Sequence, residues 1–124
     1  MMITRRVLSA VFPLLATALL CLACEDKTDP IGDPSDGLPD AVTYTQHVKP
    51  LLDAHCIQCH ATSRQGADRN GAPTGVNCDT YAVAQASADR GNARIQAGTM
   101  PPSGGLSQYD RSLFAKWVEQ GTQE

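Results

Sequence analysis

Apolar residues recur at helical spacing in three parts of this 124-residue chain, and no part alternates between apolar and polar residues as a half-buried strand does. In the first part, residues 43–56, the apolar positions are Val48, Leu51, Leu52 and Cys56. Thr43 or Thr45 is a candidate N-cap for this helix. Pro50 either begins the regular part of the helix or kinks it.

The second part, residues 80–98, predicts two helical segments. Asp79 is a candidate N-cap for the segment TYAVAQASADR. The following segment, NARIQAG, adds one or two turns and ends at Gly98, a residue that commonly terminates helices.

The third part, residues 107–121, has the clearest helical signals. Ser107 and Asp110 form a near capping box, and Gly121 stands just beyond the last turn. The apolar face of this helix contains Leu113, Phe114, Trp117 and Val118. The three patterns together predict an all-α domain with long loops.

The N-terminus has the layout of a secretory signal. Arg5 and Arg6 precede an uncharged run of 17 residues, 7–23, that ends in small residues. The run contains Pro13 and is at the short end of what spans a bilayer. We therefore predict that residues 1–23 are a signal peptide removed on export, rather than a retained anchor.

The end of this run, LCLAC, resembles the lipobox of bacterial lipoproteins, in which a small residue precedes a cysteine that is acylated. Ala23 and Cys24 match that pattern, whereas Cys21 departs from it and leaves ordinary signal cleavage as the alternative. The resemblance implies that Cys24 carries lipid and anchors the protein to a membrane, since each buried CH₂ adds about 0.8 kcal/mol.

Residues 24–41 and 42–124 differ sharply in composition. The first segment is rich in Asp, Pro and Gly and has almost no apolar residues, which predicts an extended acidic tether. The second segment carries seven basic and seven acidic side chains without a basic stripe, which argues against a nucleic-acid partner. A domain this small has a marginal hydrophobic core and usually needs a staple such as a metal or cofactor.

The sequence HCIQCH, residues 55–60, carries the candidate chemistry. A C-x-x-C core occurs in redox dithiols, in zinc sites and in covalent haem attachment, which needs a histidine directly after the second cysteine. Cys56 and Cys59 lie at i and i+3, so both thiols can reach the two vinyl groups of one porphyrin edge. His60 follows directly and supplies a ring nitrogen for iron. Export favours haem, because bacteria attach haem to apoprotein through thioether bonds outside the cytoplasm. This is knowledge of such proteins and not something that the spacing shows.

A second candidate ligand follows forty residues later in QAGTMPPSGG. Met100 stands between Gly98 and two prolines, Pro101 and Pro102, which restrict the backbone. A thioether on such a loop can approach the open face of an iron bound by His60. His and Met ligation is the arrangement of c-type cytochromes.

The order of HVKPLLDAHCIQCH, a loop, RIQAGTMPP and SLFAKWVEQG resembles a small mono-haem cytochrome c domain of class I type, often found in bacterial lipoproteins. The resemblance covers residues 42–121. It implies three to five helices around one covalent haem c, with Cys56 and Cys59 as thioether positions, His60 as proximal ligand and Met100 as distal ligand. It also implies that the N- and C-terminal helices cross, with Leu51, Leu52, Phe114 and Trp117 in their shared core.

The function implied is that of an electron carrier rather than an enzyme, tethered through Cys24 and exported to the periplasm or cell surface. Its partners would be transient redox proteins, and no small-molecule substrate is indicated. The runner-up is a catalytic or sensing haem that binds peroxide or a gas beside a weak distal ligand. Remote alternatives are a thioredoxin-like C-x-x-C domain, which would need a β-sheet, and a structural zinc site of Cys56, Cys59, Cys78 and a histidine.

Other residues are assigned more ordinary positions. His47 is a distal ligand only if Met100 is not, and His55 is expected on the solvent side of its helix. Cys78 is expected to be a small buried residue, with intermolecular pairing as the minor option. Four arginines are expected at the surface: Arg64, Arg69, Arg90 and Arg94. Of these, Arg94 is the best candidate to pair with a haem propionate.

Overall fold

Five α-helices and two short turns of other helical types form the part of the chain that the structure, a computed structural model, describes, residues 36–124. This part contains no strand, which confirms the predicted all-α class for these residues. None of its helices is long and apolar enough to cross a membrane. The predicted signal peptide, Cys24 and residues 25–35 of the predicted tether lie outside the described residues.

The first helical region consists of a π-helical turn, Tyr44–Val48, that continues into α1, Lys49–His55. The Thr43 hydroxyl accepts a hydrogen bond from the Gln46 N–H at 3.4 Å, so Thr43 is the N-cap. Pro50 lies in the first turn of α1, directly after the π-helical turn, so the N–H that proline lacks falls where one helix type changes to the other. Of the two predicted outcomes, Pro50 therefore begins the regular helix. Cys56 separates α1 from α2, Ile57–His60.

A long loop with one 3₁₀ turn, Gly66–Arg69, leads from α2 to α3, Tyr81–Ala86. The prediction that Asp79 caps this helix is wrong. Thr80 occupies the N-cap position without a side-chain bond, and the Asp79 carboxylate instead accepts hydrogen bonds from Thr62. Asp79 therefore ties the two ends of the loop together.

Ser87 separates α3 from α4, Ala88–Gln96, although the sequence predicted one helix across this position. Its hydroxyl lies 2.9 Å from the Val83 carbonyl oxygen and 3.2 Å from that of Asn77. Serine competes with the helical backbone for such acceptors, which accounts for the break. Gly98, with φ +68°, follows the end of α4 as predicted.

The last helix, α5, spans Gln108–Glu119 and confirms its predicted signals. Ser107 and Asp110 form a full capping box. Gly121 has φ +83°, the left-handed conformation that glycine supplies after a helix. Three of the four predicted apolar residues are buried and Val118 is partly buried.

The core forms where α5 packs on α4 and on the π-helical turn. Trp117 is fully buried at its centre, with ring centroids 5.5 Å from Phe114 and 6.1 Å from Tyr44. The carbonyl oxygen of Gln123 accepts hydrogen bonds from the Trp117 indole and the Tyr44 N–H, both at 2.8 Å. All four residues that the resemblance assigned to the core are buried: Leu51, Leu52, Phe114 and Trp117.

The packed part of the chain extends into the last residues of the predicted tether. Leu38 packs against the core. The Gln120 side chain donates to the Asp40 carbonyl at 2.6 Å and accepts the Val42 N–H at 2.9 Å. These contacts fasten residues 38–42 to the end of α5.

Candidate functional site

One cavity of about 560 Å³ is lined by the residues that the sequence predicts to bind a cofactor. It lies between α2, the loop after it, α4 and the segment 100–106. Its lining includes all four predicted cofactor residues: Cys56, Cys59, His60 and Met100. A volume of this size is in the range of small-molecule and cofactor sites, about 300–1,000 Å³.

Cys56 and Cys59 are held by the short helix α2. The Cys59 and His60 N–H groups both donate to the Cys56 carbonyl, at 3.1 Å and 2.9 Å. Both thiols are free and partly buried. This turn therefore presents two unpaired thiols and the adjacent imidazole to one cavity.

The His60 ring is fixed through Nδ1, which lies 2.9 Å from the carbonyl oxygen of Val76. A carbonyl oxygen only accepts, so Nδ1 carries a proton, and in the neutral ring the lone pair is then on Nε2. This is the tautomer a metal-binding histidine needs, with the second nitrogen oriented by an acceptor. The His60 main chain is held as well, because its carbonyl accepts the Cys78 N–H at 2.8 Å.

Met100 reaches the same cavity from the segment after α4. Thr99 ties this segment to α4, since its N–H and its hydroxyl donate to the Arg94 carbonyl at 3.0 Å and 3.1 Å. The Gly104 N–H donates to the Pro101 carbonyl at 2.9 Å and closes the following turn. Met100 is partly buried, and Pro101 and Pro102 line the cavity beside it.

The two remaining histidines lie in different places. His47 does not line the cavity, and its Nδ1 is 3.1 Å from the Thr43 N–H nitrogen, which it accepts from. His55 is partly buried and lines the cavity beside Cys56, which differs from its predicted solvent-side position. The last turn of α1 faces the cavity because the chain continues directly into the Cys56 turn.

The arginines divide into two groups. Arg64, Arg90 and Arg94 are exposed as predicted, and the latter two line the cavity. The prediction for Arg69 is wrong, since this residue is only 3% exposed. It is buried because carbonyl oxygens of the surrounding loop satisfy its guanidinium. The hydrophobic pattern had no signal for this position, since the residue lies in a polar loop.

Cys78 also lines the cavity, partly buried against the core. Its Sγ lies 3.6 Å from the His60 carbonyl oxygen, to which it donates, and its thiol also makes a side-chain hydrogen bond with Cys56. This bond lowers the pKa of the Cys56 thiol against the opposing effect of burial, and the same bond, with burial, raises the pKa of the Cys78 thiol. Cys56 is therefore the more readily ionised of the two thiols, and the thiolate is the reactive form.

Within residues 36–124, no group of three or more His, Cys, Asp and Glu side chains is arranged to hold a metal ion. Comparison with family models, curated proteins and solved structures gives no match for this chain.

Proposed function

We propose that this protein is a mono-haem c-type cytochrome that carries electrons. Cys56, Cys59 and His60 are close in the sequence, whereas Met100 lies forty residues further on. The observation that best supports the proposal is that all four line one cavity. His60 in addition has its Nδ1 engaged and its Nε2 free. Two free thiols, an imidazole and a thioether are the donor set that covalent attachment and axial ligation of haem require.

Each residue then has a defined role. Cys56 and Cys59 would form the thioether bonds, His60 would bind iron through Nε2, and Met100 would bind through its sulfur. When bound, haem c supplies one-electron chemistry between ferric and ferrous iron. The soft Met100 sulfur favours the ferrous state and raises the reduction potential.

The propionate groups of haem need cationic partners near the cavity. Arg90 and Arg94 lie one turn apart on α4, are exposed and line the cavity. We assign this role to both arginines. Arg94 also adjoins the Met100 segment, because its carbonyl oxygen accepts the hydrogen bonds from Thr99.

As an electron carrier, the protein would exchange electrons at the side of the cavity formed by the Cys56 turn and Met100, in transient complexes with redox proteins. Cys24, predicted to be acylated, would anchor it to a membrane on the periplasmic or outer side. In this assignment the chain is not an enzyme and has no small-molecule substrate.

The test is a pyridine haemochrome assay on the full chain, produced with haem-maturation machinery. We expect one covalent haem per chain, and none in a Cys56→Ala, Cys59→Ala double variant. The ferric protein should show the weak red absorption band of iron bound to methionine sulfur. A folded product that holds zinc and no haem would overturn the proposal.

A haem without that red band, whose ferrous form binds carbon monoxide readily, would replace the electron carrier with the peroxide- or gas-binding alternative. Carbon monoxide distinguishes the two because a firmly bound methionine leaves no free position on the iron.

A further inference from the structure

Among residues 36–124, Arg69 is the one charged residue whose side chain is buried. It lies beside the candidate haem site. It is 3% exposed and lines the cavity. The one ion pair among residues 36–124 joins Lys49 to Asp53, so Arg69 is not paired with a carboxylate there. A buried charge is costly unless hydrogen bonds satisfy it, which makes its partners informative.

Oxygen atoms of the loop after α2 surround the guanidinium. Nε donates to Ala72 at 3.0 Å, and Nη1 donates to Ala61 at 2.9 Å and to Arg64 at 3.2 Å. Nη2 donates to Pro73 at 2.6 Å, to Val76 at 3.0 Å and to the Asn77 side chain at 3.0 Å. All three nitrogens donate, and the six acceptor oxygens are enough for the five N–H groups of the guanidinium. A haem propionate could therefore bind Arg69 only by displacing one of these acceptors.

The Val76 carbonyl oxygen links Arg69 to His60. It accepts from Arg69 Nη2 at 3.0 Å and lies 2.9 Å from His60 Nδ1. A carbonyl oxygen has two lone pairs, so it can serve both donors at once. The Ala61 carbonyl, next to His60 in the chain, is held by the same guanidinium. Arg69 thus fixes the acceptor of the His60 ring and the backbone beside it.

We propose that Arg69 is a positioning residue for His60. By holding the Val76 carbonyl, it keeps the imidazole in the Nδ1–H tautomer and in the orientation that leaves Nε2 for iron. This inference rests on the proposed haem function and adds an outer residue to the proximal side of that site. Outer partners of this kind change the properties of a metal site when they are replaced.

The charge of Arg69 has a further consequence. A cation buried beside the cavity disfavours the additional positive charge of ferric iron, because screening is weak where water is excluded. Removal of the charge should therefore lower the reduction potential. Arg64 provides a matched control, since it is in the same loop, exposed and outside the cavity lining.

The experiment compares haem-loaded wild type with Arg69→Lys, Arg69→Gln and Arg64→Gln. Both Arg69 variants should exchange the His60 Nδ1 proton with solvent faster, by about tenfold for the loss of one hydrogen bond. The potential should fall in Arg69→Gln and stay closer to wild type in Arg69→Lys, which keeps the charge. Arg64→Gln should match wild type in both measurements. Arg69 variants that behave like Arg64→Gln would overturn the proposal.

Two measurements cover the remaining outcomes. If neither Arg69 variant folds, hydrogen exchange of the Arg69 Nη protons is measured in the reduced wild-type protein instead. These protons should exchange slowly, and rapid exchange would refute the hydrogen bond to Val76. If the wild type holds no haem, the proposed function fails, but nitrogen NMR of His60 still tests the positioning role. The His60 ring of the wild type should then be in the Nδ1–H tautomer. If the same fraction of His60 is in this tautomer in Arg69→Lys, the inference is contradicted.

Discussion

The backbone N–H of Cys78 donates a hydrogen bond to the His60 carbonyl at 2.8 Å, and the Cys78 sulfur lies 3.6 Å from the same oxygen. A third thiol is therefore placed beside the turn that carries Cys56, at the border of the proposed haem site. The sequence connected Cys78 with the motif only through the zinc alternative, and its spacing gave no second cysteine pair. Its position makes the chemical state of the three thiols a direct test of what the turn holds.

We predict that the three cysteines differ in alkylation after the purified haem-loaded protein is denatured. Cys78 should react with iodoacetamide, whereas Cys56 and Cys59 should not, because thioether bonds consume their thiols. Peptide mass spectrometry identifies each site. Cys78→Ser should keep the haem on both other cysteines. Alkylation of all three thiols would favour a zinc or thiol-redox protein instead.

The second prediction concerns the distal ligand. Met100→Ala should abolish the weak red band of the ferric protein and lower its reduction potential, because the soft sulfur that stabilises ferrous iron is lost. His47→Ala should change neither, since His47 does not line the cavity and contacts Thr43. Absorption spectra and redox titration of both variants provide the measurement. A spectrum that follows His47 rather than Met100 would reverse the assignment of the ligand.

The third prediction uses two tyrosines that differ in hydrogen bonding. The Tyr44 hydroxyl is buried and finds no partner within residues 36–124, whereas the Tyr81 hydroxyl donates to the Thr122 carbonyl at 2.8 Å. Tyr44→Phe should leave the free energy of unfolding unchanged or raise it by about 1 kcal/mol, because an unsatisfied polar group is removed. Tyr81→Phe should lower it by about 1 kcal/mol.

Denaturant unfolding of the haem-loaded proteins measures both effects. The tyrosine rings lie 5.4 Å apart, so the two variants sample the same region of the core. A larger loss in Tyr44→Phe than in Tyr81→Phe would mean that the Tyr44 hydroxyl has a partner, such as a buried water.

The features predicted correctly from the sequence are those with local signals. The capping box of Ser107 and Asp110, the proline that starts α1 and the apolar face of α5 each depend on residues a few positions apart. The motif of Cys56, Cys59 and His60 is local as well. The approach of Met100 to the same site was expected from its proline-restricted loop and from the resemblance, and all four residues line one cavity.

The features that were missed depend on contacts between distant positions in polar segments. Asp79 pairs with Thr62, 17 positions away, although a helix cap was equally consistent with its local sequence. Arg69 is buried by the carbonyl groups of its own loop, and backbone acceptors leave no mark in a sequence. Hydrophobic periodicity reports side-chain burial in regular elements and is silent about such loops.

The fourth prediction concerns acid stability and Asp79. Partial burial favours the neutral carboxyl, but hydrogen bonds from the Thr62 hydroxyl and N–H, at 2.6 Å and 3.0 Å, outweigh it and lower the pKa of Asp79. A carboxyl with a lowered pKa stabilises the folded state above its unfolded pKa of about 3.9. That stabilisation is lost as the pH falls from there through the folded pKa.

Wild type should therefore lose stability below about pH 4 more steeply than Asp79→Asn, which cannot titrate at this position. At neutral pH the variant should be the less stable protein. Thr62→Ala should reduce the acid-dependent loss, since it removes one of the two donors. Denaturant unfolding between neutral and acidic pH measures all three proteins, and parallel curves for wild type and Asp79→Asn would refute the coupling.

The fifth prediction contrasts two glycines at α4. Gly91 lies inside the helix, and a Cβ added there would meet only the Phe114 ring, at 3.6 Å and 3.8 Å, which is ordinary van der Waals contact. Gly91→Ala should therefore stabilise the protein by about 0.5–1 kcal/mol, the cost of glycine in a helix. Gly98 has φ +68° and open space around it. Gly98→Ala should destabilise by about 1–2 kcal/mol through its backbone alone.

The same two variants separate the stability of α4 from its contribution to the cavity. Gly91 lines the cavity and Gly98 does not. If the cavity holds haem against the face of α4 that contains Gly91, Gly91→Ala should lower the yield of haem attachment although it stabilises the helix. Gly98→Ala should leave the yield of haem attachment unchanged although it destabilises the protein. Haemochrome yield and unfolding free energy are measured on the same preparations. Haem yields that simply follow stability would show that the Gly91 face of α4 takes no part in binding.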